Sequence, residues 1–255
     1  MILAIDIGNT HTIAGCLDNS TIYFVERIAT DYQKTAAEYA VILKSIIELN
    51  HIELSRIEGI IISSVVPPVS KNIENAVTKL SPIKPFIVGP GLKTGLNIKT
   101  DNPAQLGSDL VVGAVAAIDQ YPCPLIVFDL GTATTISVID KNKVFLGVVI
   151  YPGVHVAFES LANKTAQLPD IRLEKPDKVI GTTTVACMQS GAIYGNASMI
   201  DGMIERIEEE LGMTTTVVAT GGLASSIATA CKKQIIVDDE LLLKGLLILY
   251  NKNKK

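Results

Sequence analysis

The sequence predicts an α/β fold in two similar halves, with the ligand bound in the cleft between them. The first observation is a short pattern that occurs twice after an apolar run, as Asp6-Ile7-Gly8-Asn9-Thr10 and as Asp129-Leu130-Gly131-Thr132-Ala133-Thr134-Thr135. The glycine lets backbone N–H groups approach a phosphate, and the acid can hold a cation that neutralises phosphate charge. The second observation is that each half reads as a three-stranded meander followed by alternating helices and strands.

Composition narrows the class of protein. The chain is rich in aliphatic residues and lacks Trp, and its net charge of -4 gives no reason to expect nucleic acid or an anionic membrane as a partner. No apolar run reaches the roughly 18–20 residues needed to span a bilayer. The cysteines are scattered at 16, 123, 187 and 231 without a CxxC pair, which argues against zinc and for reduced thiols. We therefore expect a soluble cytoplasmic protein.

The first half alternates strands and helices after its meander. A capping box at Thr35-Ala36-Ala37-Glu38 opens a helix, and the β-branched run 59–66 predicts a buried parallel strand. Ser70 is predicted to cap the next helix and Ser108 the one after it, with Asp109 in the first turn. The predicted strands are 2–6, 11–17, 22–27, 59–66 and 86–88, the helices are 35–50, 70–80 and 110–121, and 89–106 is a loop.

The second half repeats this pattern. Pro122 and Pro124 mark the predicted boundary, which gives domains at 1–118 and 119–255. Gly212 is predicted as the residue that ends a long helix, and its apolar stripe along 200–211 is compatible with either a dimer surface or the core. The predicted strands are 125–129, 133–139, 144–150, 216–219 and 234–237, the helical regions include 154–163, 184–211 and 239–250, and 164–183 is irregular.

A series of short motifs along the whole chain carries a family resemblance. The duplicated architecture resembles the actin/hexokinase/heat-shock-70 ATPase superfamily, which has duplicated actin-like (ribonuclease H-like) domains with the active site in the cleft between them. Within that superfamily the chain is most similar to type III pantothenate kinases, and the motifs lie in the order of that family. They are Asp6-Ile7-Gly8-Asn9-Thr10, Asp101-Asn102-Pro103, Gly107-Ser108-Asp109, Asp129-Leu130-Gly131-Thr132-Ala133-Thr134-Thr135, Pro152-Gly153, Gly181-Thr182-Thr183-Thr184, Met188-Gln189-Ser190-Gly191 and Ala219-Thr220-Gly221-Gly222.

The resemblance implies ATP-dependent phosphorylation of pantothenate to 4′-phosphopantothenate, the first step of coenzyme A biosynthesis. It implies magnesium bound with ATP, a monovalent cation (potassium or ammonium) at Asp129, and a homodimer. Alternatively, Asn9 and Thr10 could be ordinary turn-forming residues, and Asp129 could be a strand-end acid that accepts backbone hydrogen bonds. The residues implied to bind ATP are Asp6, Ile7, Gly8, Asn9, Thr10, His11, Thr12, Ile13 and Thr132.

On the acceptor side, the resemblance makes Asp109 the general base that accepts the proton of the pantothenate hydroxyl. An aspartate in the first turn is also favoured by the helix dipole in any protein, and the dipole predicts a low pKa for it. Thr184 is implied to contact pantothenate, and it could equally be the N-cap of the following helix. The substrate-binding residues implied by the resemblance are Gly107, Ser108, Asp109, Leu110 and Thr184.

Two positions depart from the family pattern, and both lie on the acceptor side. Leu110 stands where the family motif Gly-x-Asp-Arg has its arginine, and Thr100 stands where many members carry an aromatic residue. Leucine cannot replace the charged planar fork of arginine. Three functions therefore stay open: a pantothenate kinase, a non-catalytic nucleotide-binding regulatory protein, and a kinase for another small hydroxy acid.

Overall fold

The computed structural model describes residues 1–254 and divides the chain into two compact units. The first unit contains Met1–Leu96, Asp101–Ala116 and residues 241–254, and the second contains Asn97–Thr100 and Ala117–Glu240. The division therefore passes between Ala116 and Ala117. It differs from the predicted domains in two segments, because the C-terminal segment belongs to the first unit and residues 97–100 belong to the second.

The helices and strands follow the predicted order with small differences at their ends, except that the segment 89–106, predicted to be a loop, contains a short strand at Asn97–Ile98. In chain order they are β1 (Ile2–Ile7), β2 (His11–Leu17), β3 (Ile22–Ala29), α1 (Ala36–Leu49), β4 (Gly59–Ser64), α2 (Pro67–Leu80), β5 (Phe86–Ile87), β6 (Asn97–Ile98), α3 (Ser108–Gln120), β7 (Leu125–Leu130), β8 (Ala133–Ile139), β9 (Val144–Pro152), α4 (Val154–Lys164), α5 (Thr184–Ser190), α6 (Asn196–Leu211), β10 (Thr216–Thr220), α7 (Ala224–Ala228), β11 (Ile236–Val237) and α8 (Leu241–Asn253). Among residues 1–254, no helix combines the length and apolar character that crossing a bilayer requires.

The sheet of the first unit has strand order β3-β2-β1-β4-β5 and carries helices on both faces. Alternate residues of a strand point to opposite faces. Leu3, Ile5 and Ile7 of β1 accordingly join one core cluster with residues of α1 and α2. Ile2 and Ala4 join a second cluster with residues of α3 and α8. The same alternation places Asp6 on the face that α3 covers.

The C-terminal helix α8 belongs to the first unit because its apolar side packs on β1 and β4 of the first sheet and on α3. Leu243, Leu246 and Leu249 lie in the same cluster as Val112 of α3. At Gly245 the two helices come so close that a Cβ atom would overlap the Val112 carbonyl oxygen. An amphipathic pattern predicts that a helix has a buried face, but it does not say which sheet will cover that face.

The sheet of the second unit has strand order β11-β10-β7-β8-β9-β6. In chain order, β7 to β11 repeat β1 to β5, and β6 is added beside β9. Phe128 and Leu130 of β7 pack with Val154 of α4 and Ile200 of α6 in its main core cluster. The predicted duplication is confirmed, since both units have the same strand order around a central first strand.

The prediction that Ser70 caps a helix is wrong. Helix α2 begins at Pro67, where proline is well suited to the first turn, so Ser70 is not its cap. The hydroxyl of Ser70 lies instead within hydrogen-bond distance of two acceptors, Ser64 Oγ at 2.5 Å and Val66 O at 3.0 Å. The predicted helical region 184–211 is confirmed: it contains a π-helical turn at Gly191–Gly195 and ends at Gly212 in the left-handed conformation, as predicted.

The apolar stripe along 200–211 is core rather than free surface. Ile200, Ile204 and Ile207 of α6 are buried in the main cluster of the second unit. Met203 and Leu211 are partly buried and pack against the same cluster. The stripe therefore provides no surface for a second copy of the chain.

Candidate active site

Asp6 and Asp129 occupy the same position in the two sheets. Each is the residue before the last of the central strand, with an antiparallel neighbour on one side and a parallel neighbour on the other. Asp6 is paired with Ile13 and Ser63, and Asp129 is paired with Thr135 and Thr220. The predicted repeat is therefore a structural repeat, and each acid lies directly before a glycine-containing turn.

The turn after Asp6 is short and presents polar groups to solvent. The N–H of Gly8 donates to the His11 carbonyl oxygen at 3.0 Å, which closes the turn between β1 and β2. Asn9 and Thr10 lie at its tip and are exposed. An exposed turn with a glycine, an amide and a hydroxyl can surround an anion with hydrogen-bond donors.

The residues on either side of this turn hold it in place. Thr12 is buried, and its hydroxyl lies 2.9 Å from the Thr30 hydroxyl, which donates to the Gly8 carbonyl oxygen at 2.7 Å. Ile7 lies in the first core cluster and Ile13 packs against the second. The Ile7 and Thr12 side chains thus support the turn from inside, while its tip is left open. Thr30 was not predicted to support this turn. The one signal for it in the sequence is a hydroxyl side chain directly after β3.

The turn after Asp129 is built differently. The N–H of Gly131 donates to the Ala133 carbonyl oxygen at 3.2 Å, and Thr132 is exposed at the tip. Gly153 stands where Thr30 stands in the first unit, and its N–H donates to the Thr132 carbonyl oxygen at 3.2 Å. A Cβ atom at Gly153 would overlap the carbonyl oxygens of the turn. The buried hydroxyl of Thr134, which corresponds to Thr12, has no hydrogen-bond partner among the described residues.

A second glycine brings another turn against the end of β7. Gly221 has φ of +98°, a conformation that favours glycine, and a Cβ atom there would lie 2.8 Å from the Leu130 backbone. The Thr220-Gly221-Gly222 turn therefore touches the strand that carries Asp129. The glycines of this turn were recognised in the sequence. The contact with Leu130 could not be predicted, because the two segments are distant in the chain.

Asp109 lies in the first turn of α3 and is partly buried. Its Oδ1 accepts a hydrogen bond from the Leu110 N–H at 2.8 Å. Burial raises the pKa of this carboxyl above its ordinary value, and its backbone hydrogen bonds oppose the rise. The predicted low pKa is wrong, because the cost of desolvating the carboxylate exceeds the stabilisation by the helix start. Gly107 makes room for the carboxyl, since a Cβ atom there would overlap Oδ1.

Ser108 is the first residue of α3 rather than the residue before it. Its hydroxyl donates to the Ser64 carbonyl oxygen at 2.8 Å and accepts from the Ser64 N–H at 3.1 Å. It also accepts from the Ser63 hydroxyl at 3.1 Å. The hydroxyl predicted as a helix cap is therefore used to join α3 to the end of β4.

Comparisons with known proteins identify the family of the chain. The family model of type III pantothenate kinase matches residues 2–206. The chain belongs to the type III pantothenate kinase family. It is 44% identical over 253 residues to a type III pantothenate kinase of Halalkalibacterium halodurans, covering 99% of this chain and 100% of the relative. It is 46% identical over 254 residues to one from Exiguobacterium sibiricum, covering 100% of both.

Solved structures support the fold class. The activator of the 2-hydroxyisocaproyl-CoA dehydratase from Clostridium difficile, solved with bound ADPNP, matches with a TM-score of 0.53 and 15% identity. The match covers 100% of this chain and 98% of the activator. At that identity the likeness shows the fold alone. This type III pantothenate kinase therefore has the duplicated actin-like fold predicted from its sequence.

The structure shows the surroundings of three residues that were predicted to lie on the acceptor side. Thr184 is exposed and is the first residue of α5, while the N-cap is Thr183, whose hydroxyl accepts from the Ala186 N–H at 3.2 Å. The Thr184 hydroxyl is thus not used as the helix cap. Leu110 is partly buried next to Asp109. Thr100, in the second unit, has a buried hydroxyl without a hydrogen-bond partner among residues 1–254.

Proposed function

We propose that this kinase transfers the γ-phosphoryl group of ATP to the hydroxyl of pantothenate, with Asp109 as the general base. The observation that carries the assignment is the carboxyl of Asp109, partly buried at the start of α3 and held by the Leu110 N–H. Burial raises its pKa, which makes it a stronger base than an ordinary aspartate. As the pantothenate oxygen attacks the γ-phosphorus, its proton passes to this carboxylate.

Nucleotide binding falls to the residues of the acid-containing turns. The Asp6 to Ile13 segment offers the backbone N–H groups of its turn and the polar tips of Asn9 and Thr10 to the phosphates. Thr132, at the tip of the corresponding turn of the second unit, is the further hydroxyl that the family resemblance implies for ATP binding. Phosphoryl transfer needs mainly positioning and charge neutralisation, which such groups provide. Magnesium bound with ATP supplies part of that neutralisation, and a carboxylate such as Asp6 together with phosphate oxygens suits it. We also propose that Asp129 contributes to a potassium or ammonium site.

One assay distinguishes phosphorylation of pantothenate from phosphorylation of another small hydroxy acid and from nucleotide binding without kinase activity. ADP release is measured with pantothenate and with other small hydroxy acids as acceptors, in potassium chloride and in sodium chloride. We expect turnover with pantothenate and a clear loss of rate when sodium replaces potassium. Turnover only with another hydroxy acid would favour a kinase with a changed acceptor, to which the leucine at position 110 points. If none of these acceptors leads to ADP release, the chain would be a nucleotide-binding protein without kinase activity.

We further propose that the chain forms a homodimer through the exposed edge of the second sheet. Strand β6 pairs only with Val144 and Phe145, so the rest of β9 lacks a second neighbouring strand among the described residues. Val149, Ile150 and Tyr151 on this part of β9 are exposed. An unpaired edge with exposed apolar side chains is a surface that another copy of a chain can cover. The family resemblance also implies a dimer.

A single charge should disrupt this dimer. Ile150 is 68% exposed, and Ile150→Lys places an ammonium group in the proposed interface. We expect wild type to have the mass of a dimer by light scattering at micromolar concentration and Ile150→Lys to have the mass of a monomer. Val41→Lys is the matched control, because Val41 is 65% exposed on α1. A monomeric wild type would refute the proposal. Equal effects of the two variants would show that the interface does not lie at Ile150.

The location of the protein in the cytoplasm remains our inference from the scattered, unpaired cysteines. Cys16, Cys123, Cys187 and Cys231 are all free in the structure. Cytoplasmic conditions keep thiols reduced, in agreement with such a pattern.

A further inference from the structure

The hydroxyl of Ser108 has every hydrogen bond that a serine hydroxyl can make. A hydroxyl has one hydrogen to donate and two lone pairs to accept with. Ser108 Oγ donates to the Ser64 carbonyl oxygen at 2.8 Å, and it accepts from the Ser64 N–H and from the Ser63 hydroxyl, each at 3.1 Å. Its three partners lie more than forty residues earlier in the chain. The side chain is thus held in one orientation by the end of another element.

These bonds connect the two parts of the first unit that carry its acids. Ser63 and Ser64 end β4, where they pair in parallel register with Asp6 and Ile7 of β1. Directly paired residues of neighbouring strands point to the same face of a sheet. Ser63 and Asp6 therefore point toward the face covered by α3, from which Ser108 reaches the strand end. Ser108, the residue before Asp109, is therefore hydrogen-bonded to the end of β4, which pairs with the end of β1 that carries Asp6.

We propose that Ser108 is a positioning residue, which fixes the start of α3 on the end of β4 and thereby sets where the Asp109 carboxylate lies. The inference rests on the proposed role of Asp109 as the base. Gly107 leaves the carboxyl its space and Leu110 donates to it, but both belong to the same turn of chain as Asp109. Among the described residues, it is the Ser108 side chain that hydrogen-bonds that turn to the strand. Small displacements of a reacting group cost large factors in rate, about 10²-fold for 1 Å.

The test compares two serines of the same hydroxyl network. Ser108→Ala removes the link between α3 and β4. Ser70→Ala is the matched control, because the Ser70 hydroxyl bonds to Ser64 Oγ or Val66 O and, among the described residues, makes no hydrogen bond to α3. For both variants the kcat, the KM for ATP and for pantothenate, and the midpoint of urea unfolding are measured. We expect Ser108→Ala to lower kcat about 10-fold or more with an unchanged KM for ATP, and Ser70→Ala to leave kcat within about 2-fold.

Rescue completes the experiment. Ser108→Thr keeps the hydroxyl and should restore most of the kcat, and Ser108→Cys replaces the alanine variant if that one does not fold. Equal kcat values for the Ser108 and Ser70 variants would overturn the positioning role and leave a hydroxyl that only stabilises the fold. Asp109→Asn is assayed alongside. If Asp109→Asn retains turnover, the base assignment fails and this inference fails with it, whereas an inactive Asp109→Asn with a fully active Ser108→Ala would refute the inference alone.

Discussion

Replacing Asp109 by asparagine is expected to lower turnover by about 10²- to 10⁴-fold, toward the upper end of what loss of a general base costs. Asparagine has nearly the shape of aspartate, and its Oδ1 can still accept from the Leu110 N–H. The fold and the affinity for ATP should therefore change little. The measurement is kcat from ADP release with saturating ATP and pantothenate, together with ATP binding by calorimetry.

The control for this prediction is Asp119→Asn, the same substitution on an exposed residue near the other end of α3. It should keep wild-type turnover. The pH profile gives a second readout. Because burial raises the pKa of Asp109, wild-type turnover should fall on the acid side at a higher pH than an ordinary aspartate would produce. Near wild-type turnover in Asp109→Asn, or an unchanged acid limb in its residual activity, would remove Asp109 as the base.

The repeated acid-containing turns could be predicted because their signals are local. Asp6 and Asp129 each follow an apolar strand and precede a glycine, and the structure places both at the same point of equivalent sheets. The order of the strands also follows from the alternation of strand and helix patterns. Gly212 could be assigned because a glycine after a periodic helix adopts a left-handed conformation at modest cost.

Several of the predictions that were wrong depend on contacts between distant residues, whereas the wrong cap at Ser70 came from overlooking the local signal of Pro67. The helix start suggested a low pKa for Asp109, but the burial that raises it comes from tertiary packing. Ser108 was predicted to be a helix cap, because the neighbouring sequence does not indicate that its hydroxyl forms hydrogen bonds with Ser63 and Ser64. Thr183 and Thr184 are adjacent and chemically identical, so only the structure can identify the residue whose hydroxyl caps α5. Local patterns therefore predicted the elements and the acids, while the environment of each site residue required the fold.

Arginine at position 110 is expected to lower the KM for pantothenate by about 10- to 150-fold, because a hydrogen bond to a charged group contributes about 1.5–3 kcal/mol. Pantothenate carries a carboxylate, and the guanidinium fork can hold a carboxylate with two parallel bonds. Leu110 is partly buried next to Asp109 and offers no such group from its side chain. The KM for ATP should not change, since the phosphates are proposed to bind at the turn after Asp6. The measurement is KM for each substrate in Leu110→Arg and wild type.

Two further variants show which property of arginine matters. Leu110→Lys adds a charge without the planar fork and should recover only part of the affinity, whereas Leu110→Met keeps a neutral side chain and should behave like wild type. An unchanged KM for pantothenate in Leu110→Arg, with tight binding already in wild type, would mean that other cations hold the carboxylate. Lys99 and Arg172 are exposed and are the next residues to substitute in that case. A Leu110→Arg variant that gains activity on pantothenate while wild type prefers another hydroxy acid would instead identify position 110 as the residue that sets the choice of acceptor.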